Sequence, residues 1–119
     1  MSLHGLVRHM ADVERGWFQR VLAREDSPTI FYDREVNPDG DFDDVDTADF
    51  TADLEVWRRE CARSRELAAA RDLDDTGIHR QHGWEVSLRW ILIHMIEEYA
   101  RHNGHADLLR ERIDGATGE

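Results

Sequence analysis

From Ser87 to Gly115 the chain reads as one long helix, and that helix sets what the rest can be. Ser87 is a natural N-cap and Asp114-Gly115 a natural stop. Between them lie about 26 residues, or about 40 Å at 1.5 Å per residue. On a wheel of about 100° per residue, Leu88, Leu92, Met95, Tyr99, Ala106 and Leu109 form one apolar stripe. His102 falls within that stripe, and Glu98, His94 and His105 lie along its margin. A charged Glu beside a core is costly unless something pairs with it.

Two further helices are predicted. The first spans about residues 2–24, where Leu3, Leu6, Val7, Met10, Val13, Trp17 and Val21 recur at steps of three and four. Asp26, Ser27 and Pro28 stop it. The other begins between Thr47 and Thr51 and runs to about Ala70, with Phe50, Leu54, Trp57, Cys61 and Ser64 or Leu67 inward. Residues 26–47 hold both prolines and read as an irregular excursion anchored by Phe31 and Tyr32. Residues 72–84 read as a connection broken by Gly77 and Gly83. The expected fold class is all-α, in one domain over 1–119.

Charge narrows the function. The formal net charge is −11, and acidic residues crowd positions 39–55. Such a chain repels phosphate backbones, so nucleic-acid binding is a poor expectation. No apolar run approaches the roughly 20 residues of a membrane span, and the start does not read as a signal peptide. All fifteen basic residues are Arg. Cys61 is the only cysteine, so no internal disulfide can form and a reducing cytoplasm is the expected home.

Glu98 and His102 are four apart and project from one helical face, one turn from each other. Bundles commonly present two ligands to one ion in this way. A third must come from another helix, and His9, beside the apolar face of the first, is the best candidate. Two His and one carboxylate leave coordination positions open. The set suits Zn²⁺, and also Fe²⁺ or Ni²⁺. The residues alone leave a second reading open, in which Glu98 pairs with an Arg and His102 is a core histidine. Glu14, on the apolar side of the first helix, is expected to pair with Arg89 or Arg101, or to orient a ligand His. Trp17, Trp57, Trp84 and Trp90 read as packing. The acidic run at 39–49 reads as a solvated loop without the spacing of a calcium site.

The segments LHGLVRHMADVERGWF and SLRWILIHMIEEYARHNGHADLLRERIDG resemble the second and last helices of the DinB-like superfamily. The ending H-x-x-x-E-x-x-x-H-x-x-H-x-D-x-L-R-E is similar to its actinobacterial, mycothiol-dependent branch. The resemblance covers most of the chain. It implies an antiparallel helical bundle with His9, Glu98 and His102 as metal ligands. Many classical members carry His where Glu98 stands, which points to the thiol-transferase side. His94 and His105 are then neighbours of the site or face substrate. Relatives usually have one more amphipathic helix before the segment that begins here, so three main helices are expected, and an exposed apolar seam closed by homodimerisation.

The resemblance implies a metal-dependent transferase in which a low-molecular-weight thiol such as mycothiol, or bacillithiol in other lineages, binds near the metal and reacts with a small-molecule substrate. The thiol supplies the nucleophile, so no side chain is expected to be catalytic in that sense, and Cys61 reads as a small core residue. Two other readings use the same residues: a hydrolase employing metal-bound water, and a non-enzymatic, stress-related bundle whose metal site is structural or vacant.

Overall fold

The computed structural model describes residues 1–118. Helix α1 (Leu3–Glu14) starts at Ser2, whose hydroxyl accepts from the Gly5 amide at 3.0 Å. It continues without interruption into a π-helical stretch, Arg15–Leu22. A short α2 (Gly40–Asp43) runs into a 3-10 turn, Asp44–Thr47. Then come α3 (Phe50–Ala69), strands β1 (Thr76–His79) and β2 (Trp84–Ser87), and α4 (Leu88–Asp114).

The fold is mostly helical but not all-α. The 72–84 connection contains half of an antiparallel hairpin, in the register Thr76↔Ser87 to His79↔Trp84. Gly83, at φ 70°, makes its turn. Gly77 is needed for another reason: a Cβ there would overlap the Val21 carbonyl. The hairpin therefore lies directly on the π-helical stretch.

That stretch also changes which residues face inward. A π-turn advances the backbone hydrogen bond to the fifth residue, as from the Ala23 amide to the Phe18 carbonyl at 3.0 Å. The face drifts from the α-helical wheel. Phe18 and Leu22 become core residues beside Val21, while Trp17 is only partly buried and turns toward the hairpin and α4. The core joins these to Met10, Leu67, Leu88, Ile91 and Met95.

The inner face of α3 differs from the expected apolar line. Its buried residues are Asp53, Glu60, Ser64 and Leu67, and Phe50 is 47 % exposed. The reason lies on α1 and the π-helical stretch that continues it. Arg8 bonds Asp53 at 3.0 Å, Arg15 bonds Glu60 at 2.7 Å, and Gln19 donates to Glu60 at 2.6 Å. A polar ladder thus joins α1 and its π-helical continuation to α3. Leu54 and Trp57, with Phe50, are left to line an apolar groove between α1, α3 and α4.

Helix α4 buries Leu88, Ile91 and Met95 but leaves Ile93, Ile96, Leu108 and Ile113 more than half exposed. Among the described residues no helix is long and apolar enough to cross a membrane.

Candidate metal centre

Two helices bring the three expected ligands together. His9 faces α4 from α1, and Glu98 and His102 stand one turn apart on α4. Ligand atoms of the three all lie within 4.8 Å of one another. Nε2 of His102 is 3.4 Å from Glu98, and the His9 and His102 rings meet edge to face at 4.7 Å. Two ligands held about 2.1 Å from a tetrahedral ion stand about 3.4 Å apart, so this donor set fits one divalent ion with modest side-chain adjustment. The ion-pair partners of Glu98 among the described residues are His94, at 3.2 Å, and His102, not an arginine.

All three side chains are partly buried. Burial pushes the pKa of His102 below its ordinary value, and the neighbouring His9 adds to this. Both effects favour the neutral imidazole, which is the form that binds metal.

The other candidates fall around this centre. His94 stacks on Trp90, with centroids 4.9 Å apart and planes at 7°, and meets the edge of Trp17 at 4.6 Å. It touches Glu98 at one end and the aromatic rim at the other. Nδ1 of His105 lies 3.2 Å from Nδ1 of His102, on the side away from the Nε2 that faces Glu98. Glu14 pairs with neither Arg89 nor Arg101. It is 6 % exposed and accepts from the Tyr99 hydroxyl at 2.6 Å. Arg89 instead reaches the exposed Asp74. The inward tilt of Tyr99 brings a neutral donor to Glu14, so no guanidinium has to enter the core.

Asp41 is the residue the sequence reading missed. The acidic run is not wholly a solvated loop: Asp41 is 4 % exposed, and its Oδ2 lies 2.8 Å from Nδ1 of His9. A carboxylate only accepts here, so the ring nitrogen donates. Phe42 stacks on the same imidazole at 5.3 Å. The available signal was Gly40, whose missing side chain lets the turn press against Phe31 and Asn37.

Beside His9 opens a cleft of 510 Å³ between α1, the 25–42 segment and the hairpin. Trp17, Tyr32 and His79 give it aromatic walls, and Arg20, Arg34 and Asp39 are among its charged residues. Nδ1 of His79 is buried without a hydrogen-bond partner among the described residues, and burial lowers the pKa of that imidazole.

Residues 1–115 match the family model described as Mycothiol-S-transferase. The chain belongs to the mycothiol S-transferase family, a branch of the DinB-like superfamily. Neither a curated protein nor a solved structure matches it. The mycothiol S-transferase match spans α1 through α4, so His9, Asp41, Glu98 and His102 all fall inside it.

Proposed function

We propose that this chain is a metal-dependent S-transferase that joins a low-molecular-weight thiol of the mycothiol type to a small electrophilic substrate. The observation that carries the reading is the convergence of His9, Glu98 and His102, with His9 also lining the cleft, in a chain of the mycothiol S-transferase family. A divalent ion held there, Zn²⁺ or alternatively Ni²⁺ or Fe²⁺, would supply the chemistry of lowering a bound thiol's pKa toward thiolate at neutral pH.

The chain's own residues do the rest. His9, Glu98 and His102 would hold the ion, and three protein ligands would leave room for the thiol. The cleft suits a hydrophilic thiol, because Trp17 and Tyr32 offer flat faces while arginine and carboxylate side chains offer hydrogen bonds. In the transfer the sulfur forms a bond to carbon, and the electron pair of the broken bond leaves with the departing group. Cys61 is not part of this. Its thiol lies near the Tyr99 hydroxyl, and burial together with the negative charge of Glu14 raises its pKa. A closed structural site would need a fourth protein ligand, and among the described residues the group able to meet one ion contains three.

The seam between α1, α3 and α4 belongs to the same reading. Leu6, Val7, Leu54, Trp57 and Ala106 line an apolar groove, and a homodimer would cover it. Sedimentation equilibrium of the whole chain reads this directly, and a monomer at all concentrations removes the dimer from the proposal.

The deciding experiment is metal content and dissociation constant for tag-free wild type beside His102→Ala, followed by thiol transfer to a model electrophile. One divalent ion per chain, lost in the variant, together with metal-dependent consumption of thiol, is the expected result. Wild type that refuses Zn²⁺ and Ni²⁺ overturns the proposal. Metal binding with ester or amide hydrolysis but no thiol consumption replaces transfer with hydrolysis.

A further inference from the structure

Two consecutive residues of α2, Asp41 and Phe42, converge on the His9 imidazole, and Gly40 before them seats the turn. Gly40 has no room for a side chain: a Cβ would sit 2.6 Å from the Phe31 carbonyl and from the Asn37 amide nitrogen. Asp41 places Oδ2 2.8 Å from Nδ1 of His9. Phe42 stacks on the same ring at an interplanar angle of 29°. Phe42 in turn rests on Gly5 of α1, where a Cβ would meet its ring at 2.6 Å.

The turn is fastened by a residue that leaves the Asp41 carboxylate alone. Arg8 donates from Nε to the Asp41 backbone carbonyl at 2.9 Å and from Nη2 to the Gly40 carbonyl at 3.2 Å. Its ion pair goes to Asp53 instead. Oδ1 of Asp41 accepts from the Phe42 amide, which leaves Oδ2 for His9. A carboxylate 4 % exposed is thus paired with a histidine, although a guanidinium lies within reach of its own backbone.

We propose that Asp41 is a positioning residue for metal binding: by accepting from Nδ1 of His9 it fixes the ring's tautomer and angle, so that Nε2 is presented toward Glu98 and His102. The inference rests on the metal reading above. A ligand histidine whose second nitrogen is bonded to a carboxylate is oriented before the ion arrives and is more basic at the other nitrogen. Without Asp41 the 29 % exposed His9 ring is free to rotate and to exchange tautomers. If Asp41 only tied the turn down, its loss would affect folding and leave ion affinity alone.

The test is titration of metal-free protein with Zn²⁺, and with Co²⁺ followed by its visible absorption. Variants are Asp41→Ala, Asp41→Asn and the exposed neighbour Asp43→Ala, with thermal melting of each metal-free form. Asp41→Ala is expected to weaken Zn²⁺ binding about 10- to 100-fold and alter the Co²⁺ spectrum. Asp41→Asn keeps an acceptor and should lose less; it also serves if the alanine variant does not fold. Asp43→Ala should match wild type. In a His9→Ala background, Asp41→Asn should have no further effect on affinity. Unchanged affinity in both Asp41 variants, or an equal loss without His9, overturns the inference while the metal reading stands. Wild type that binds neither ion overturns both.

Discussion

The Tyr99 hydroxyl donates to Oε1 of Glu14 at 2.6 Å, and accepts from Nε1 of Trp57 at 3.1 Å. One phenol thereby ties α4 to α1 and α3, one residue from Glu98. Tyr99→Phe removes the donor and leaves Glu14 buried with a lost partner. The expected cost is about 1–3 kcal/mol in chemical denaturation. Because the bond also sets the rotation of α4, Zn²⁺ affinity should fall in the same variant. An unchanged denaturation midpoint would show that the bond contributes nothing net.

The same phenol governs the alkaline limit. Burial, then its bond to Glu14, pushes the Tyr99 pKa far above the usual value of 10. A group with a raised folded pKa contributes stability that is complete below its unfolded value and is lost as pH rises beyond it. Wild type should therefore lose stability above about pH 10, and Tyr99→Phe should lose less over the same range. Denaturant midpoints from pH 9 to 11.5 measure the difference, and parallel curves for the two proteins would contradict it.

The polar ladder between the π-helical stretch and α3 predicts a large effect from a single carboxylate. Glu60, 7 % exposed, receives both Arg15 and Gln19. Glu60→Ala strands the guanidinium and the amide together. Arg15 keeps some contact with water, so the cost should fall below the range for fully buried pairs, at about 2–3 kcal/mol. Arg58→Ala, which breaks an exposed pair with Glu55, should cost under about 0.5 kcal/mol. Equal effects from the two would mean that the ladder is no stronger than surface charge.

These features were not equally legible in the sequence. The ends of α4 were, because Ser87 and Gly115 act locally: the hydroxyl accepts from the Trp90 amide, and the glycine takes φ 77°. His9, Glu98 and His102 were named because helical spacing and a family resemblance both point to them. The π-helical stretch was hidden, since a wheel of constant step assumes the geometry it is meant to detect. The hairpin strands have four residues each, too few for alternation to register. Asp41 looked like any other member of an acidic run. Its burial comes from Arg8, 33 positions away, which has no local signature, and from Gly40 packing under Phe31, where the glycine alone does not say which neighbour it brings inward.

Cys61 separates the proposed chemistry from one based on a protein thiol. Its pKa is raised by burial and then by Glu14, with the Tyr99 hydroxyl nearby at 3.8 Å. Thiolate is the reactive form, so native Cys61 should be alkylated by iodoacetamide at pH 7.5 far more slowly than in urea. Cys61→Ser should leave thiol transfer within about twofold of wild type, since the nucleophile comes from the bound thiol. Loss of transfer in a folded, metal-loaded Cys61→Ser protein would require a role for this side chain.

His102 predicts how the metal-free protein responds to acid. Burial and the adjacent His9 lower its pKa relative to the unfolded chain. Below an unfolded value of about 6.5 the unfolded state takes up a proton more readily than the folded one, so stability falls as pH drops through that region toward the lower folded pKa. Chelator-treated wild type should lose stability as pH falls below about 6.5, and His102→Gln should lose less over the same fall. Zn²⁺ should shift wild type upward at pH 7, and less at pH 5.5, because protons compete for the same ring nitrogens. Midpoints measured with and without Zn²⁺ at both pH values separate the two effects, and a Zn²⁺ shift equal in wild type and His102→Gln would place the ion somewhere other than this triad.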